Sequence, residues 1–386
     1  MKILTITTDF PYKSEDGTIT QGGGGSCVAQ LVRGLDRKGI KVSVVTREEK
    51  NLKKELLDIP IHRTKFIYLG FRESKITHSI FALPSAMNIV KKENPDIIHS
   101  HNPAAALVGI ACAKVFNKPH VLTMHGPWSS VRLQNLTRII ARKIESFVLK
   151  NSTVTTCDSN ALVEEMKRLH GVKTIGIQNA VDSELFTPMT KKIARKKINI
   201  NFDGQLILFT GRFVVEKGLD TLLDAAAIVL SKEKNVKFLL IGGGFNESIV
   251  SNWLEKNPEY SKNILVIPFL KHEMMNPAYR AADVFVLPSV AEGLSRSLME
   301  AMICSVPCVA TEVGGNVELL SNDRGILVPV RNSEKLAVAI TKVIDDNEFA
   351  KRLVRNAKMF AMENLTVERR INSFIKIYKL ILNKVN

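Results

Sequence analysis

The stretch DVFVLPSVAEGLSRSLMEAMICSVPCVAT, Asp283 to Thr311, sets the fold class. Val284–Leu287 is a short apolar run rich in β-formers that stops at Pro288-Ser289. Leu294 to Ile303 reads as a helix with Ser295 at its N-cap. Val306–Thr311 then returns to a β-type run. Strand, helix and strand in succession form a βαβ unit, whose two strands lie parallel in one sheet.

The same alternation extends in both directions. KILTITT, KVSVVT, FIYLG, DIIHSH, HVLTMHG, TVTTCD and TIGIQNA are strand candidates before residue 186. Between them lie helical stretches such as SCVAQLVRGLDRKG, Ile80–Lys92, AAALVGIACAKVF, Ser129–Lys150 and NALVEEMKRLH. A basic, poorly apolar stretch, Thr187–Gly204, precedes a second series: LILFTGR, KFLLIGGG, ILVIPFL, DVFVLPS, VPCVAT and GILVPV. From Ser333 onward only helical patterns follow. The expectation is two doubly wound α/β domains, 1–186 and 187–365, facing across a cleft at the carboxyl ends of their strands.

Composition excludes several classes. Of the 386 residues 45% are hydrophobic and 24% charged, as in ordinary globular chains. No apolar run approaches the length of a membrane span. The start, MKILTITTDF, continues as a strand and does not resemble a secretory leader, so a cytoplasmic protein is expected. Cys27, Cys112, Cys157, Cys304 and Cys308 are scattered with no CxxC pair, which suits reduced buried thiols better than disulfides or zinc. The net charge of +16 favours anionic partners: phosphate-bearing substrates, nucleic acid or an anionic membrane face. No nucleic-acid-binding signature accompanies it.

Several polar groups fall at strand ends. The loop QGGGGS, Gln21–Ser26, puts Gly23 and Gly24 at a helix N-terminus, where free amides attract anions, although it matches neither GxGxxG nor a P-loop. In TGRFVVEKGLD, Gly211 and Gly218 bracket Arg212 and Lys217, two cations suited to a diphosphate or, on the plainer reading, solvated loop charges. His125 in TMHGPW ends one strand, and His99 and His101 end the strand before it; a structural role is the alternative for each. They lack a carboxylate at metal-ligand spacing, so no metal is expected. Arg138 and Arg142 share a face of the Ser129–Lys150 segment, which could rest on an anionic membrane or be an ordinary solvated face.

Glu292 lies in the loop before the Leu294–Ile303 helix and Glu300 lies within it. An acid/base pair usually faces a scissile bond from opposite sides at about 5–9.5 Å. Two carboxylates split across one helix N-terminus suit a different ligand, one with hydroxyls at both ends and an anionic centre. A nucleotide-sugar has that layout.

The segment PSVAEGLSRSLMEAMICSVPCVATEVGGNVELL resembles the E-x7-E signature and following turn of family 4 retaining glycosyltransferases, also called glycosyl transferases group 1, with the GT-B fold. GRFVVEKGLD, IQNAVDSELFTP, TMHG and the early glycine loop fall in that family's order. The resemblance implies two Rossmann-like domains, the first on the acceptor side and the second binding the nucleotide-sugar, with a helix at about 366–386 packing back on the first. It implies that Glu292 contacts the donor sugar and Glu300 the ribose. Arg212 and Lys217 would bind the diphosphate, aided by amides around Gly293, Leu294 and Ser295. His125 would lie near the reacting sugar, with Gly23 and Gly24 bordering donor and acceptor. Transfer would proceed by front-face substitution with retention, a donor phosphate oxygen taking the acceptor proton, without metal or other cofactor. The donor would be UDP-, GDP- or ADP-linked, and the acceptor a polysaccharide, a lipid-linked glycan or a small molecule; the basic charge leans towards a lipid-linked acceptor at the cytoplasmic membrane face. Ala180 and Ser305 depart from the family pattern, each standing where Gly is usual. A GT-B epimerase, or a basic membrane- or nucleic-acid-associated binding protein with an inactive site, is the alternative.

Overall fold

The computed structural model describes residues 1–15, 19–20, 23–49, 51–67, 73–128, 135–244, 248–268 and 270–385. It divides into two compact units, Met1–Asn179 together with Val367–Asn386, and Ala180–Thr366.

Unit 1 begins with β1 (Lys2–Thr7), β2 (Tyr12–Ser14), β3 (Ile19–Thr20), α1 (Gly23–Arg37) and β4 (Lys41–Arg47). It continues with β5 (Leu52–Glu55), β6 (Ile61–Thr64), α2 (Glu73–Glu93), β7 (Ile97–His101), α3 (Pro103–Phe116) and β8 (His120–Met124). Then come α4 (Asn135–Asn151), β9 (Val154–Cys157), α5 (Asn160–His170) and β10 (Ile175–Gly176). The main sheet is parallel, in the order β10-β9-β8-β7-β1-β4-β6. Adjacent residues of β1 feed opposite faces. Ile3 packs with Val28, Val32 and Leu35 of α1, while Leu4 and Ile6 pack with Ala86 and Ile89 of α2 and Val108 of α3. Helices on both faces explain why these strands are buried along almost their whole length, Thr, Ser and His positions included.

The FIYLG strand is corrected. The strand lies earlier, at Ile61–Thr64, and pairs with β4 from Val44↔Ile61 to Arg47↔Thr64. Phe66 and Ile67 lie beyond it, and Tyr68–Gly70 fall outside the described residues. As the sheet's edge, β6 tolerates the polar sequence IHRT, and Arg63 reaches Glu55 at 2.6 Å. The polar first loop contains β2 and β3, which join β5 in a small antiparallel sheet.

Unit 2 contains α6 (Lys191–Lys197), β11 (Gln205–Thr210), α7 (Leu219–Lys232), β12 (Val236–Ile241), α8 (Ser248–Lys256) and β13 (Ile264–Ile267). After these come α9 (Met275–Ala281), β14 (Val284–Leu287), α10 (Arg296–Ile303), β15 (Cys308–Thr311), α11 (Gly314–Leu320) and β16 (Ile326–Val328). Its last helices are α12 (Ser333–Asp345) and α13 (Asn347–Asn364). The parallel sheet runs β13-β12-β11-β14-β15-β16. From β11 the chain first adds strands on one side, then crosses to β14 and adds them on the other. The crevice between β11 and β14 is therefore the topological switch point, where such sheets bind ligands at their carboxyl ends. Ser305 adopts φ 59°, the left-handed conformation that a glycine there would take without strain.

The final helix, α14 (Val367–Val385), belongs to unit 1. Its Ile371, Phe374, Ile377, Tyr378 and Ile381 are buried in the α1 cluster, each contributing about 1.5–3 kcal/mol of transfer free energy. The five cysteines are buried and free, and burial pushes the Cys157 and Cys304 thiols up to about 12, so they stay unreactive. Among the described residues no helix is long and apolar enough to cross a membrane, and no group of three or more His, Cys, Asp or Glu could hold a metal ion.

Candidate active site

In unit 2 two loops meet at the switch point. The first leaves β11 through Gly211, Arg212 and Phe213, makes a 3-10 turn at Val215–Lys217, and enters α7 at Gly218. The second leaves β14 through Pro288 and Ser289 and ends at Ser295, the N-cap of α10. Gly218 has φ 65°, and a Cβ there would lie 2.1 Å from the Pro288 carbonyl oxygen. Only glycine lets the loops approach this closely. The Val290 amide donates to the Glu216 carbonyl at 2.8 Å, fixing their register.

This approach joins the lysine of one loop to the glutamate of the other. Lys217 Nζ donates to Glu292 Oε1, which also accepts from Ser289 Oγ at 2.7 Å. The ammonium and carboxylate are largely buried, with side-chain exposures of 19% and 10%. Arg212 is exposed and has no ion pair among the described residues. Behind Glu292, the Gly315 amide donates to the Gly293 carbonyl at 2.7 Å. A Cβ on Gly314 would fall 1.9 Å from the Glu292 carbonyl oxygen, so this turn also holds the glutamate loop in place. Leu294 is buried, and Ser295 Oγ accepts from the Leu298 amide at 3.4 Å, the cap expected from the sequence.

Glu300 occupies a different environment on α10. It is 5% exposed, and Tyr279 of α9 donates its hydroxyl proton to Oε2 at 2.8 Å. Burial, reinforced by Glu300, raises the Tyr279 phenol well above its usual 10, so it remains a donor. With that proton engaged, Thr210 Oγ1 at the end of β11 donates to the Tyr279 oxygen at 3.0 Å. Glu300 Oε1 faces Arg296 Nη2 at 3.5 Å. Sequence reading missed Tyr279, Thr210, Ser289 and Arg296: NPAYRA carries no site pattern, and an isolated Ser or Thr has no distinctive signal.

In unit 1, Gly24 is exposed at the start of α1, which begins at Gly23, while Gln21 and Gly22 lie outside the described residues. A Cβ on Gly25 would sit 3.2 Å from the Asp9 carbonyl just after β1, so α1 starts close to the strand's carboxyl end. His125, at the end of β8, has both ring nitrogens engaged. Nδ1 meets Asp158 Oδ2 at 2.5 Å, and Nε2 meets His101 Nδ1 at 3.1 Å with the two rings stacked. His99 bonds Thr123 Oγ1 at 2.7 Å and Tyr378 of α14 at 2.8 Å. Burial holds His99 and His101 well below the usual imidazole range, so both are neutral. Asp158 carries no motif in the sequence, and only the fold brings it to His125.

Two family models match the chain: glycosyl transferases group 1 over residues 190–360 and Glycosyltransferase Family 4 over residues 21–185. An uncharacterized glycosyltransferase of Methanocaldococcus jannaschii is 29% identical over 98% of both chains. A UDP-Gal:alpha-D-GlcNAc-diphosphoundecaprenol alpha-1,3-galactosyltransferase of Escherichia coli is 23% identical over 83% of this chain and 85% of its own. Sucrose-phosphate synthase from Thermosynechococcus elongatus superposes with a TM-score of 0.87 over the whole of both chains at 22% identity. With both units matched and two Rossmann-like sheets in place, the chain belongs to the group 1, family 4 glycosyltransferases, GT-B retaining enzymes that transfer a sugar from a nucleotide-sugar donor to an acceptor.

Proposed function

We propose that this enzyme transfers a hexose from a UDP-sugar to a hydroxyl of a diphosphate-lipid-linked glycan at an anionic membrane surface. The observation that carries the donor half is the Lys217–Glu292 pair at the switch point of unit 2. In the free site each charge neutralises the other. On donor binding, Lys217 turns with Arg212 to the diphosphate and Glu292 turns to the sugar hydroxyls, so one exchange readies both groups. The amides at Gly293–Ser295 add to diphosphate binding. Glu300, fixed on one oxygen by Tyr279, offers the other to the ribose. In unit 1, His125 and the Gly23–Gly24 opening of α1 serve the same transfer. Both His125 nitrogens are bonded within the protein, which supports leaving the acceptor's proton to the donor phosphate.

Thermal unfolding with UDP, GDP, ADP and their sugars tests the donor assignment. UDP at 100-fold its Kd is expected to add about 2.7 kcal/mol, raising the midpoint by about 5–10 °C, with the shift lost in Arg212→Ala. A larger shift with GDP or ADP reassigns the base, and no shift with any of them removes the proposal.

A face of α4 supports the membrane half. Ile139, Ile140 and Phe147 stand about half exposed there, accompanied by Arg138, Lys143 and Lys150. Arg142 donates to the Leu169 carbonyl at 3.1 Å and is partly structural; residues 129–134 lie outside the described residues. Apolar tips flanked by cations suit an anionic headgroup layer, at about 1 kcal/mol per cation near the surface. The chain is expected to sediment with phosphatidylglycerol vesicles and not with phosphatidylcholine vesicles. Ile139→Glu with Ile140→Glu should release it at least tenfold; equal binding by that variant would show that α4 is not the contact.

A further inference from the structure

Tyr279 is fully buried in α9. Its ring packs T-shaped on Phe186 and tilted on Phe285 of β14, with centroids 6.0 and 5.8 Å away. Its hydroxyl is the middle of a chain: Thr210 Oγ1 donates to it at 3.0 Å, and it donates to Glu300 Oε2 at 2.8 Å. Burial keeps the phenol protonated, so the chain runs in this direction only. It crosses three elements, from the last residue of β11 through α9 to α10. Gly211 and Arg212 follow Thr210 directly and begin the loop assigned above to the diphosphate. Among the described residues, Tyr279 is the only partner of the Glu300 carboxylate from outside α10. Arg296, 3.5 Å from Oε1, belongs to the same helix.

We infer that Tyr279 is a positioning residue for the ribose: its hydroxyl, backed by Thr210, holds the Glu300 carboxylate with Oε1 set for the ribose hydroxyls and in register with the diphosphate loop. The phenolic oxygen makes this contact, and the ring serves only to place it. A carboxylate fixed before the ligand arrives has already lost its rotamer freedom, so binding does not have to order it. Without that oxygen Glu300 keeps only Arg296 as a side-chain partner, and the ribose must compete with it. The inference rests on the reading of Glu300 as the ribose contact given above.

Calorimetric titration of the full chain with UDP and with 2′,3′-dideoxy-UDP tests this, because the second nucleotide lacks both hydroxyls. Where GDP or ADP gives the larger thermal shift, that nucleotide and its dideoxy form take their place. Wild type is expected to bind UDP at least about tenfold more tightly than the dideoxy form, as a hydrogen bond to a charged group gives. Glu300→Gln should remove most of that preference. Tyr279→Phe keeps the ring packing and should weaken UDP about tenfold while leaving dideoxy-UDP within about twofold. Thr210→Val should give a smaller loss with the same selectivity. Equal losses for both nucleotides in Tyr279→Phe would make the hydroxyl a support of the fold alone and overturn the inference, as would unchanged UDP binding. A wild type without preference for UDP takes Glu300 off the ribose, and this inference with it. A preference lost in Glu300→Gln but kept in Tyr279→Phe removes Tyr279 alone.

Discussion

Replacing Lys217 with alanine is expected to lower kcat by about 10²–10³-fold, the usual loss when one group stabilising a developing anion is removed. The leaving nucleoside diphosphate gains negative charge as the glycosidic bond stretches, and Lys217 Nζ is the cation held closest to the Glu292 loop. The same substitution leaves Glu292 with its Ser289 hydrogen bond and an uncompensated, largely buried charge. Glu292→Gln should also cut kcat, but it releases Lys217 from its pair, so donor KM should stay level or fall. Because the two residues share one contact, the double variant should lose less than the product of the single effects. Initial-rate kinetics over a range of donor concentrations give all three comparisons. Turnover within threefold of wild type in both single variants would end the assignment.

The second large effect is acid unfolding confined to unit 1. Seven of the eight histidines lie there, and His272 alone lies in unit 2. Burial lowers His78 to about 4 and His120 to about 3, and holds His99 and His101 well below 6.5. Unfolded, each regains a pKa near 6.5 and so binds more protons than the folded form below that pH. Stability is therefore intact above pH 6.5 and declines as pH falls toward the folded values. His78 and His120 each contribute about 1.4 kcal/mol per pH unit in this window, or about 2 kcal/mol by pH 5. Together they come to about 4 kcal/mol, a large part of the stability of a typical domain, and His99 and His101 act in the same direction. The two tryptophans separate the units: Trp128 lies in unit 1, and Trp253, bonded to Asp224 at 3.1 Å, lies in unit 2. Trp253→Phe should show a fluorescence transition near pH 5, and Trp128→Phe only a more acidic one. Coincident transitions would mean that the buried histidines are not the acid-labile element.

The sequence showed most clearly what is local. Strand–helix alternation, the Ser295 cap and the spacing of Glu292 and Glu300 all lie within a few residues, where periodicity and capping chemistry can be read. The strand at Ile61–Thr64 was missed because an edge strand need not be apolar, whereas the apolar segment after it drew the assignment. The two glutamates looked alike as carboxylates flanking a helix start. Their environments differ because Glu292 meets a lysine 75 residues away and Glu300 a tyrosine 21 residues away, distances that no local pattern spans. Buried Asp158 and Arg370 of α14 face each other at 3.9 Å, a pairing that bridges more than half the chain and could only emerge from packing.

That return of the chain also orders its synthesis. Unit 2 is one continuous stretch, Ala180–Thr366, and its core can close as soon as Thr366 has emerged from the ribosome. Unit 1 cannot, because Ile371, Phe374 and Tyr378 arrive only after all of unit 2. The Met1–Asn179 segment, translated ahead of unit 2, therefore reaches its native state after it, keeping the apolar face of α1 uncovered throughout translation of its neighbour. Domains usually mature in the order they are made, and an exposed apolar face is the surface through which nascent chains aggregate. Chaperone binding to stalled nascent chains should persist until α14 emerges, and premature termination near residue 366 should yield a folded unit 2 tethered to an aggregation-prone unit 1.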